Sequence, residues 1–209
     1  MIDSHRESVR RFAETAAADC DDARARAVKL YYVVRDGFRY DPYRIDLSVA
    51  GLSASGVLAN GYGWCVTKAA LLAAACRAVG VPARVGFADV RNHLSTTRLR
   101  EMMGTDIFYF HGYTAIHLDS KWLKATPAFN IELCQKFRLH ALEFDGTADS
   151  IYHPYDLSGQ RHMEYVNFRG EFDDVPRETL LQGFADYYPN MPRLDSAGWD
   201  TDINLETAG

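Results

Sequence analysis

A chain of 209 residues can bury a substantial core, and a composition that is 47% hydrophobic and 24% charged excludes a disordered polypeptide. The formal net charge of −5 removes any electrostatic reason to expect nucleic acid or an anionic membrane as a partner. The start Met1-Ile2-Asp3-Ser4-His5-Arg6-Glu7 carries charges where a secretory signal needs apolar residues, and no stretch reaches the roughly 18 apolar residues of a membrane helix, so a cytoplasmic protein is expected.

Residues 4–18 read as a first helix, and Asp21 or Asp22 caps a second whose apolar positions Ala27, Val28, Tyr31 and Val34 recur at helical spacing before Gly37 stops it. Asp41-Pro42 marks a turn, and Ser53 caps a short helix through Val57 and Leu58. From Cys65 to Val79 the residues are strong helix formers, with Val66, Ala69, Leu72, Ala73 and Cys76 on one face and Gly80 and Pro82 as stop signals. Strands are expected over 83–87, 109–118 and 122–126, with a turn at Asp119-Ser120-Lys121. The polar stretch 89–106 reads as a loop or short helix beside any site.

Beyond Asn130, residues 131–143 read as helix or strand, 163–168 as a strand and 177–187 as a helix. The whole is expected to be a single domain over 1–209, with a core at about 31–130, an extension over 131–192 and a loosely ordered tail over 193–209. Helices first and antiparallel strands after them predict an α+β fold with helices packed on one side of the sheet.

The chemistry centres on Gly61-Tyr62-Gly63-Trp64-Cys65, which runs straight into a helix. A thiol at a helix N-terminus feels the positive end of the macrodipole and unpaired backbone N–H groups, both of which favour the thiolate. The remaining cysteines, 20, 76 and 134, have no Cys-x-x-Cys spacing and read as free thiols. On one helix, Cys65 and Cys76 stand about 16 Å apart, far beyond disulfide reach.

Downstream, Phe110-His111-Gly112-Tyr113-Thr114-Ala115-Ile116-His117 places a histidine at the start of a strand, and Trp122 follows on the next. Together with Lys68-Ala69-Ala70-Leu71-Leu72 and Arg77-Ala78-Val79-Gly80-Val81-Pro82-Ala83-Arg84-Val85, these pieces resemble the transglutaminase-like superfamily from about Tyr31 to Asn130. The resemblance implies a papain-like core in which Cys65 attacks an amide carbonyl, His111 takes and returns the proton, and an acyl-enzyme is resolved by water or by an amine. The superfamily's usual Asp falls at Thr126 here, so Thr126 and Asn130 are the candidates to orient His111.

Trp64 and Tyr113 are candidate walls of an acyl-binding groove, with core packing the alternative. Asn60 is a possible oxyanion donor or simply a turn residue. His117 shares a strand face with His111, while His93, His140, His153 and His162 lack metal-ligand spacing, so no metal or cofactor is expected. The implied function is a cysteine peptidase or amidase acting on peptide or protein amides. The alternatives are acyl transfer to amines, a thioester-dependent acyltransferase, and a binding domain that has kept the fold without catalysis.

Overall fold

The computed structural model describes residues 1–93, 95–152, 155–189 and 199–206. The first helix is shorter than its pattern, α1 (Glu7–Ala16), and buries Val9 and Ala13. α2 (Ala23–Gly37) starts where its cap does: the Asp22 carboxylate accepts from the Ala25 N–H at 2.7 Å, satisfying one of the donors a helix start leaves orphaned. After β1 (Arg39–Tyr40), Ser53 caps α3 (Ala54–Asn60) by accepting from the Gly56 N–H, and Gly61 ends it in the left-handed region at φ 72°. β2 (Tyr62–Gly63) pairs in parallel with β1 and delivers the chain into α4 (Cys65–Ala78).

The rest of the chain follows as β3 (Ala83–Asn92), α5 (Thr97–Met103), β4 (Ile107–Leu118), β5 (Lys121–Ala125), α6 (Ile131–Lys136), β6 (Met163–Phe172), α7 (Arg177–Tyr187) and α8 (Trp199–Glu206). The four long strands form an antiparallel sheet in the order β5-β4-β3-β6. This is the expected α+β architecture. Among the described residues, no helix is long and apolar enough to cross a membrane.

The single apolar face expected for α4 is a correction, because every residue from Cys65 to Cys76 is buried. Helices α1, α2 and α3 and strands β3 and β4 all pack against it. A helix that is apolar nearly all round belongs inside. The one charge in that stretch, Lys68, donates to the carbonyls of Arg35 at 2.8 Å, Phe38 at 2.6 Å and Ala128 at 2.8 Å, tying α2 and the segment after β5 to the central helix.

Two other expectations change. The stretch read as a loop or short helix over 89–106 is the far half of β3 followed by α5, because β6 gives β3 a second partner out to Asn92. The tail expected to be loose contains α8, docked through Tyr43 Oη donating to Asp202 at 2.7 Å and Thr97 N–H donating to Glu206 at 2.8 Å, with Ile203 buried. Those partners lie far back in the chain, so local composition does not reveal them. Residues 193–198 and 207–209, and His153, lie outside the described residues.

Candidate active site

Cys65 is the first residue of α4, with Trp64 as the N-cap. The Trp64 N–H donates to Thr67 Oγ1 at 3.0 Å, which pins the chain's entry into the helix. Gly63 is required by a close approach, since a Cβ there would stand 2.7 Å from that same Oγ1. The thiol is 5% exposed, and burial pushes its pKa up to about 11, while the N–H groups of Gly112, Val66 and Cys65 itself face the sulfur and pull the other way.

The Gly112 N–H reaches the sulfur because β4 touches the first turn of α4. A Cβ on Gly112 would lie 2.7 Å from Val66 Cα and 3.0 Å from Cys65 O. That contact brings the preceding residue, His111, to the wall of a cavity of about 30 Å³ that Cys65 also lines, together with Trp64, Tyr40, Leu99 and Tyr188. His111 is 2% exposed and packs at 5.3 Å against the Tyr152 ring. Burial lowers its pKa to about 3, and its Nε2 has no hydrogen-bond partner among the described residues. Burial thus favours the neutral form of both thiol and imidazole.

Trp64 stands in the cavity wall, and its buried indole N–H has no partner among the described residues. Tyr113 does not line this cavity. It is buried over Gly86, where a Cβ would meet the ring at 2.2 Å, and its hydroxyl donates to Glu171 at 3.4 Å. Asn60 is exposed at the end of α3, and His117 packs on Trp122 at 5.1 Å.

Thr126 and Asn130 are both buried, and neither hydrogen-bonds the His111 ring among the described residues. Asn130 Oδ1 instead accepts from the Tyr40 N–H at 3.2 Å. Thr126 follows the last β4–β5 pair, Thr114 with Ala125, and its hydroxyl lies on the side of the Tyr165 phenol, not bonded to His111.

The sequence singles out none of Tyr40, Gly112 and Tyr188 as a site residue. Tyr40 and Tyr188 line the cavity beside the thiol, and burial raises both phenols, so they remain donors. The His-Gly dipeptide after a strand start was the available signal for Gly112, since a glycine beside a site residue marks close backbone approach.

A cysteine opens the buried helix of this α+β fold, and a histidine lies on the antiparallel strand that touches that helix. Residues 10–127 match the family model of the transglutaminase-like superfamily core, and the chain belongs to that superfamily. A search of curated proteins returns no match.

Two solved structures are similar. One, from Parabacteroides distasonis and described as a candidate protease, is 17% identical over 56% of this chain and 22% of its own, with a TM-score of 0.41. The other, from Cytophaga hutchinsonii and described as a candidate cysteine protease, is 13% identical over 81% of this chain and 52% of its own, with a TM-score of 0.45. The chain thus spans about half or less of the length of these proteins.

Proposed function

We propose that the protein is a cysteine-dependent hydrolase, a peptidase or amidase, that cleaves amide bonds of peptide or protein substrates through an acyl-enzyme on Cys65. The observation that carries this reading is the convergence of Cys65, at a helix start, and His111 on one cavity, with the Gly112 N–H directed at the sulfur. His111 removes the thiol proton as the sulfur attacks the carbonyl carbon, and the tetrahedral oxyanion collapses with loss of the amine, which takes the proton back from His111. Water activated by the same imidazole then releases the acid. The N–H groups at the start of α4 are the donors available to the oxyanion.

Cys65 and His111 make and break the bonds in this scheme. Thr126 and Asn130 are the uncharged residues on offer for a ring contact, so the pair works as a dyad. The cavity of about 30 Å³ has room for about two waters. Substrate must displace part of its lining, and opening it to solvent brings the thiol and imidazole back toward their ordinary pKa values. A site this confined favours water over a bulky amine as the second nucleophile, with transfer to amines as the alternative.

The buried, neutral state of both groups favours one further reading, a binding domain that retains the fold without catalysis. Iodoacetamide labelling across a pH series, mapped by mass spectrometry and repeated in His111→Ala, separates the two. Catalysis requires Cys65 to label selectively at a pH where the partly exposed Cys20 is slow, and to lose that selectivity in the variant. If Cys65 stays silent until strongly alkaline pH, or all four cysteines label alike, the nucleophile assignment fails. Whether a glutamine peptide given a primary amine yields glutamate or cleaved peptide, or instead incorporates the amine, then divides hydrolase from transferase.

A further inference from the structure

His111 stands one residue after a kink. Phe110 has φ 58°, a left-handed backbone rarely adopted by an aromatic residue, and such strain persists only where surrounding structure holds it. The register against β3 slips at this point: Ala88 pairs with His111 but Val90 with Phe108, so Asp89 alone faces Tyr109 and Phe110. A bulge of this kind re-aims the side chains beside it.

Both N–H groups of the bulge donate to side chains. Tyr109 donates to the Tyr188 hydroxyl at 2.6 Å, and Phe110 donates to Asp89 Oδ1 at 3.2 Å.

On the other side of β3 the ladder slips next to the same position. Phe87 pairs with Gly170 and Ala88 with Phe168, which makes Arg169 the extra residue of β6. Arg169 Nε donates to Asp89 Oδ1 at 2.6 Å, and its guanidinium lies 4.1 Å from the centroid of the Phe110 ring. Asn167 Nδ2 reaches Asp89 Oδ2 at 3.5 Å. From α7, Gly183 backs the Phe110 ring so closely that a Cβ there would stand 2.2 Å from it.

Asp89 is only 4% exposed, and a buried ion pair of this kind is weak evidence for stability, since apolar replacements are often neutral. What the arrangement does secure is geometry.

We propose that Asp89 is the positioning residue of His111: its carboxylate holds the N–H of left-handed Phe110, is itself clamped by Arg169, and thereby sets the direction in which the next residue presents its imidazole toward Cys65. The inference rests on the Cys65–His111 reading above. It accounts for a histidine whose ring has no orienting hydrogen bond from Thr126 or Asn130, because orientation comes through the main chain.

The test compares Asp89→Ala with Asp89→Asn, which keeps an oxygen acceptor for the Phe110 N–H, in protein labelled with ¹⁵N-histidine. In folded Asp89→Ala the His111 ring resonances shift, and kcat for a peptide amide falls about 100-fold with KM unchanged, the scale expected for a misplacement of about 1 Å. Asp89→Asn stays within a few-fold of wild type on both readouts. Wild-type His111 resonances in Asp89→Ala overturn the proposal, and so does an Asn variant as damaged as the Ala variant.

If Asp89→Ala does not fold, Arg169→Gln serves, expected to broaden the His111 resonances and lower kcat, and unmoved resonances there count against the proposal. Should wild-type protein hydrolyse no amide and Cys65 not label, the catalytic reading fails by itself. The His111 resonances still decide whether Asp89 sets the ring.

Discussion

Replacing Gly112 by alanine tests whether the contact between β4 and α4 builds the site. The new Cβ would meet Val66 Cα at 2.7 Å and Val66 N and Cys65 O at 3.0 Å, all backbone atoms that cannot rotate away. Carbon atoms in contact prefer about 3.5–4.0 Å, so strand and helix must separate by about 1 Å. Overpacking of this kind costs about 1–3 kcal/mol of stability, while a shift of about 1 Å between reacting groups costs about 100-fold in rate.

Gly80→Ala is the control. That glycine has a positive φ, 80°, and nothing lies within 4 Å of the added Cβ, so it loses about 1–2 kcal/mol to backbone strain alone. Thermal melts should place the two variants in the same range. Amide turnover and the ratio of Cys65 to Cys20 labelling should collapse only in Gly112→Ala. A Gly112→Ala protein with wild-type turnover and labelling, or one no worse than Gly80→Ala, would refute the idea that this contact assembles the pair.

Three further predictions concern stability. Because burial holds His111 neutral down to about pH 3, the unfolded chain takes a proton near pH 6.5 that the folded chain refuses, so stability is lost as pH falls from about 6.5 toward 3. His111→Gln should flatten that limb by up to about 1.4 kcal/mol per pH unit in urea melts, and an unchanged slope would contradict the burial argument. Lys68→Met strands three buried carbonyls and should cost at least about 3 kcal/mol. With the Lys68 pKa lowered to about 7, the unfolded state binds the extra proton between about pH 7 and 10.5, so wild-type stability rises over that window and the variant should lose the rise. Asp22→Ala removes the cap of α2 and should cost about 1 kcal/mol by chemical denaturation, with amide turnover unaffected.

The elements most legible from sequence were those whose determinants are local. The Ser53 and Asp22 caps rest on side chains within three residues of the backbone groups they satisfy, α2 ends at Gly37 as expected, and the helix that starts at Cys65 is pinned by Thr67 two positions on. The helix over 177–187 was read to the residue. What failed was long-range. β3 runs to Asn92 because β6 pairs with it from some 75 residues away, and α8 docks through Asp202 and Glu206 on residues more than 100 positions earlier. Of the two roles the sequence leaves open for Tyr113, groove wall or core packing, cross-strand packing over Gly86 selects the second and takes it out of the cavity.

The Gly63-Trp64-Cys65, Lys68–Leu72 and Arg77–Val85 segments and the His111 and Trp122 strands, taken together and in order, were enough to point to the superfamily whose model matches residues 10–127 and to offer Cys65 and His111 as the candidate pair, because such a pattern depends on residue type and spacing. Only the tertiary structure decided their state and support. Burial by elements from both ends of the chain makes thiol and imidazole neutral, Asn130 is drawn to the Tyr40 backbone, and Asp89 and Arg169 meet at a kink formed by three strands. Each of those results depends on groups far apart in sequence competing for the same few ångströms, and a linear pattern does not record that competition.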